Sequence, residues 1–110
     1  MRILALPERI SVILLLFLSA LSLQAAPTDA RQQVLIDLLR QDCGSCHGMT
    51  LKGGLGPALT PERLRDKSDA MLVETILAGR PGTPMPPWSA FMTREEARWL
   101  VDNLKRGLDQ

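Results

Sequence analysis

Between Ile10 and Leu23 every position is apolar except Ser11, Ser19 and Ser22. Beyond Pro27 the hydrophobic residues appear only in short, spaced groups. Fourteen residues at helical rise span about 21 Å, less than the roughly 30 Å of a hydrocarbon core. With Arg2 and Arg9 ahead of it and the small pair Ala25-Ala26 behind it, the run reads as a secretory signal rather than an anchor. Cleavage after Ala26 would put Pro27 beside the scissile bond. Residues 1–25 are therefore taken as the signal and 26–110 as one domain.

In that domain the spaced groups follow helical periods. Val34, Leu35, Leu38 and Leu39 form one stripe and predict a helix from Thr28 to Gln41. Leu51 to Leu59 holds Gly53, Gly54, Gly56 and Pro57, a loop composition. Thr60-Pro61-Glu62 orders a cap, a first-turn proline and an acid, and so starts a short helix. Ser68-Asp69 opens another, with Leu72, Val73, Ile76 and Leu77 as its apolar face and Gly79 as its stop. Arg80 to Ala90 contains four prolines and is irregular. Thr93 and Glu96 form a capping box ahead of a last helix, whose stripe Ala97, Leu100, Val101, Leu104 runs toward Gly107. No strand, repeat or linker is evident. The fold class is all-α.

Composition narrows the chemistry. Thirteen Lys+Arg against 12 Asp+Glu in 110 residues gives none of the basic surplus of a nucleic-acid binder. Two Cys, one His and no Tyr exclude a dinuclear centre or a four-ligand Cys/His zinc site by counting. Removing residues 1–25 takes away Arg2, Arg9 and Glu8 and leaves 85 residues with 11 basic and 11 acidic side chains. A domain so small usually needs a disulfide, a metal or a cofactor to be stable.

Cys43-Gly44-Ser45-Cys46-His47 supplies one. Two Cys three apart with His after the second is a c-type haem attachment signal: the thiols reach two vinyl groups along one porphyrin edge, and the next residue sets an imidazole over the iron. Cys43 and Cys46 would form thioethers, with His47 the proximal ligand. A thioredoxin-like motif needs a βαβ context, zinc needs a fourth ligand, and a disulfide over two residues closes too short a loop to stabilise much. His47 is the single histidine, so the second axial position falls to Met, Lys, water or nothing. Met49 is too near His47 to reach the opposite face. Met71 reads as a core side chain and Met92 as a staple beside a helix cap. Met85 lies in Thr83-Pro84-Met85-Pro86-Pro87-Trp88, where flanking prolines extend the backbone and remove competing N–H groups. Met85 is the favoured ligand. His/Met ligation fills both axial positions, which suits electron transfer rather than substrate binding. A ligand sensor with an open distal site is the competing class.

In this order, the haem motif, the Gly-Pro loop and Met85 resemble the small class I cytochromes c, over nearly the whole mature chain. The resemblance implies crossed terminal helices around one covalently bound haem c. It also implies that a proline carbonyl, here that of Pro57, accepts Nδ1–H of His47. Gly53-Gly54-Leu55-Gly56-Pro57-Ala58-Leu59, the stretch Leu77 to Trp88 and Ala97-Arg98-Trp99-Leu100-Val101 are similar to the periplasmic c55X type of denitrification gene clusters. That type implies an electron donor to haem-cd nitrite reductase, or an accessory electron acceptor in haem d biosynthesis. It further implies a periplasmic monomer that is not itself an enzyme, with no nucleic acid and no anchor once the signal is removed. Arg80 and Trp88 bracket the Met85 loop and are candidates to bond a haem propionate, with packing on the ring the equal alternative for Trp88; Lys52 reads first as a solvated surface charge. Asn103 stands where such cytochromes commonly carry an aromatic residue. Trp99 projects about opposite the apolar stripe, where it either covers a neighbouring loop or docks a partner.

Overall fold

A computed structural model describes residues 25–108. The expected signal lies outside them, apart from Ala25. All regular structure among the described residues is helical. Helix α1, Asp29–Leu38, starts on Thr28, whose Oγ1 accepts the N–H of Arg31. It does not stop near Gln41. The chain continues through a π-helical turn, Leu39–Cys43, into α2, Gly44–His47. The remaining helices are α3 (Pro61–Leu64), α4 (Asp69–Ala78) and α5 (Arg94–Arg106).

The π turn has a register consequence. At about 100° per residue, a regular helix carrying Leu35 and Leu39 on one face would next present Asp42 there. One extra residue in the turn, closed by the Gly44 N–H on the Leu39 carbonyl, gives that place to Cys43. Asp42 is exposed and Cys43 is half-buried against the core. A carboxylate is thus spared desolvation, and a thiol takes the inward position.

The core is one cluster built around α5. Ala97, Leu100, Val101 and Leu104 meet Leu35 and Leu39 from the first helical stretch, Leu64 from α3 and Val73 from α4, with Leu51 and Met92 closing the ends. Each such leucine or valine taken from water contributes roughly 1.5–3 kcal/mol. The α5 N-terminus is closed by the expected capping box: Thr93 N–H donates to Glu96 Oε2 (2.8 Å) and Glu96 N–H to Thr93 Oγ1 (3.2 Å). The same carboxylate takes a two-pronged bond from Arg31 (2.6 and 2.9 Å), whose Nη2 also donates to the Phe91 carbonyl at 2.7 Å. One guanidinium therefore clasps α1 to the start of α5. This hydrogen bond from Arg31 holds the Glu96 carboxyl below the usual carboxylate range.

Three expectations need correction. Met71 is not a core side chain: it is 46 % exposed on α4, whose inward face is set by Val73 with Leu72, Ile76 and Leu77 half-buried. Val34 likewise stands out of the α1 stripe, half exposed. Trp99 is not turned away from the core; it packs on it half-buried and, with Ala25 to Pro27, lines a small surface cavity. Asn103 stays beside it by donating to the Trp99 carbonyl at 2.7 Å.

Candidate functional site

The site is built on two loops. The first follows α2. Beyond His47 the chain folds back on the haem motif: Gly53 N–H donates to the His47 carbonyl and Gly56 N–H to the Cys46 carbonyl, both at 2.8 Å. Leu51, buried in the core, pins this loop and bonds Leu59 across its base. The fold-back lays Gly56 against the imidazole so closely that a Cβ there would sit 2.9 Å from Cε1 and Nδ1. Pro57 O then lies 2.7 Å from His47 Nδ1. A carbonyl oxygen only accepts, so Nδ1 carries the proton. In the neutral ring Nε2 keeps its lone pair for a metal.

Cys43 and Cys46 lie on the helical turn that ends at His47, both half-buried and unpaired with each other. Burial, with Asp42 adding to it, pushes the Cys43 thiol up to about 11. It is held as the neutral thiol, unlike the thiolate of a redox dithiol.

The second loop hangs from the end of α4. Gly79 turns the chain at φ 67, ψ −168, a region open to little but glycine. Arg80 N–H then donates to the Met85 carbonyl (3.1 Å). The Arg80 carbonyl accepts from Thr83 N–H (3.0 Å) and Thr83 Oγ1 (2.6 Å). Trp88 N–H closes the loop on Ile76 O at 3.0 Å. Met85 emerges half-buried from this braced turn, the Arg80 side chain is exposed, and Trp88 packs on the core with its ring 5.6 Å from that of Phe91. The brace comes from hydrogen bonds around Thr83 as well as from the prolines, and the sequence reading missed it.

The structure thus joins His47 to Pro57 directly and Arg80 to Met85 through the backbone. Cys43, Cys46 and His47 share one short helical stretch. These groups fit a c-type haem: two unpaired thiols a turn apart, an imidazole with Nε2 free, and an apolar set including Leu38, Leu59, Leu72, Ile76 and Trp88 that packs against the core while staying partly uncovered. Partly covered aliphatic and indole surface is what the face of a porphyrin needs against it. Among the described residues no helix is long and apolar enough to cross a membrane.

Residues 32–103 match the family model described as Cytochrome C oxidase, cbb3-type, subunit III. Cytochrome c55X of Pseudomonas aeruginosa is 59% identical over 81 residues, 74% of this chain and 68% of that protein. Cytochrome c55X of Paracoccus denitrificans is 44% identical over 92 residues, 84% of this chain and 89% of that protein. The solved c-type cytochrome NirC is 58% identical with a TM-score of 0.73, covering 74% of this chain and 96% of that one. A solved dihydro-heme d1 dehydrogenase, NirN in complex with DHE, is 37% identical with a TM-score of 0.61, over 68% of this chain but 16% of that one.

Proposed function

The chain belongs to the cytochrome c55X family of c-type cytochromes, and from that premise we propose that it is an exported, monohaem electron carrier that donates to haem-cd nitrite reductase. The haem supplies one-electron iron chemistry. The chain's residues bind, orient and shield it. Cys43 and Cys46 hold it by two thioethers. His47 ligates through Nε2, and the Pro57 carbonyl fixes the ring's tautomer and orientation. Met85, on its braced loop, would be the second iron ligand, and a thioether there would raise the potential relative to bis-His ligation. Arg80 and Trp88, on the same loop, would bond a propionate. The stretch from Arg2 to Ala25 directs export to the periplasm.

The observation that carries this reading is the 2.7 Å contact between His47 Nδ1 and the Pro57 carbonyl, which leaves one nitrogen to ligate and fixes which. The test is anaerobic stopped flow of the reduced cytochrome with haem-cd nitrite reductase and nitrite. Saturable oxidation that weakens with salt is expected. Oxidation no faster than with nitrite alone overturns the donor role.

A second reading has its own support. A segment of dihydro-heme d1 dehydrogenase from Pseudomonas aeruginosa is 43% identical over 64 residues, 13% of that protein. A chain sharing that module is suited to accept electrons during haem d synthesis. Deletion of the gene separates the roles: loss of haem d marks the acceptor, slowed nitrite reduction with haem d intact marks the donor.

A further inference from the structure

The most exposed large apolar side chain among the described residues is Leu55, at 92 %, and Met49 in the same loop is 69 % exposed. Single exposed leucines are ordinary. This pair is unusual because the loop displaying it is rigidly built. Leu51, between them, has φ +59 and is nonetheless buried, a conformation that persists only when the surroundings impose it. Its N–H donates to the Gly48 carbonyl and its carbonyl accepts from Leu59. Met49 lies against the haem motif, its sulfur 3.6 Å from where a Cβ on Gly44 would stand. Lys52, between Met49 and Leu55 in sequence and also exposed, has no ion pair or side-chain hydrogen bond among the described residues.

The loop packs on the Nδ1 edge of the imidazole, the edge opposite the ligating nitrogen. From Leu55 one peptide leads to Gly56, whose N–H is bonded to the Cys46 carbonyl at 2.8 Å. A molecule resting on Leu55 is one hydrogen bond away from a haem-attaching residue.

We propose that Met49, Lys52 and Leu55 form the surface that receives the electron-exchange partner, a protein presenting an apolar patch with a carboxylate beside it. This rests on the electron-carrier reading above. One electron passes between the two proteins; no bond forms and no proton moves. The unpaired ammonium selects the partner's charge. A second copy of this chain fits poorly, because a two-fold contact through this patch would bring the two Lys52 groups together. Two apolar side chains and one cation are too little to hold a lipid surface. Preformed display lowers the ordering cost of a small contact, as a carrier that must dissociate after each transfer requires.

The test uses mature holo-cytochrome carrying Met49→Ser, Lys52→Glu or Leu55→Ser, with Val34→Ser as an exposed apolar control elsewhere. Second-order rates are measured with haem-cd nitrite reductase plus nitrite, and with dihydro-haem d dehydrogenase plus its substrate. Hexacyanoferrate exchange and the reduction potential are measured alongside. Leu55→Ser and Met49→Ser each slow the protein reaction by about fivefold, the scale of a modest interface residue, while hexacyanoferrate rates, potential and the control hold. Lys52→Glu reverses the salt dependence. Wild-type rates in all three variants overturn the surface and leave the carrier role standing. Equal losses toward hexacyanoferrate, or a variant effect confined to self-association seen by sedimentation, also overturn it. A wild type that exchanges electrons with neither protein overturns the carrier reading and the surface with it.

Discussion

Gly79→Ala is the sharpest probe of the Met85 loop. At φ 67, ψ −168 an alanine is strained by about 1–3 kcal/mol whatever surrounds it. A Cβ would also lie 2.6 Å from Pro86 C and 2.7 Å from Met85 O and Pro87 N. These are backbone atoms and cannot swing aside. Restoring ordinary contact near 3.4 Å moves the strand of loop by about 0.8 Å, which stretches the 3.1 Å bond from Arg80 N–H to Met85 O beyond useful length. That adds about 1 kcal/mol for the bond and 1–3 kcal/mol for overpacking. The expected loss is about 3–7 kcal/mol in guanidinium unfolding of the holo-protein. Met85 is displaced with its carbonyl, so the ferrous variant binds carbon monoxide faster than wild type. Gly82→Ala is the internal control: φ is +77 there, but nothing lies within 4 Å of its Cβ. It isolates the backbone strain at about 1–2 kcal/mol. If Gly79→Ala costs no more than Gly82→Ala and leaves carbon monoxide binding unchanged, the wedge between α4 and the Met85 loop is refuted.

Other outcomes follow from the same geometry. Met85→Ala opens the ferrous iron to carbon monoxide and lowers the potential; unchanged binding kinetics would assign the axial position elsewhere. Leu35→Ala, at a fully buried position, costs about 2–5 kcal/mol in denaturant unfolding, whereas Val34→Ala, half exposed, costs less than 1 kcal/mol. Glu96→Gln loses roughly 1 kcal/mol at neutral pH, since the pair is partly solvated and the amide retains part of the capping box. Arg31 lowers the Glu96 pKa in the folded state, so the unfolded chain binds that proton first and the stabilisation is full above the ordinary value of 4.5. It fades as pH falls below that, and the gap between wild type and Glu96→Gln narrows in acid unfolding curves.

What the sequence disclosed, and what it hid, divides by the range of the interaction. Caps at Ser68 and Thr93 were readable because donor and acceptor lie within one turn. The α5 stripe was readable because all four of its residues face one core. Cys43, Cys46 and His47 stood out because their spacing is that of a haem attachment motif. Each of these is a constraint between near neighbours. The Arg31 clasp joins residues 65 apart, and no local pattern marks one of eleven mature basic side chains as the one that reaches Glu96. Met71 was misassigned because hydrophobicity names a candidate for burial without naming its face, and Val73 fixed the inward direction of α4 instead. The π turn was hidden for a subtler reason. Helical periodicity counts residues at a fixed angle, so a stretch with one extra residue reads as the helix losing its pattern near Gln41. It is in fact the helix changing phase, and the phase change delivers Cys43 to the core while Asp42 stays in water. Straightening that turn by deleting Gln41 would keep the thiol inward and remove a residue that packs nothing. Breaking it by inserting a residue there would turn both thiols and His47 by about 100°, away from the Pro57 carbonyl. The attachment motif is therefore only as good as the phase of the helix that presents it, and that phase is set by Leu35 and Leu39 in the core.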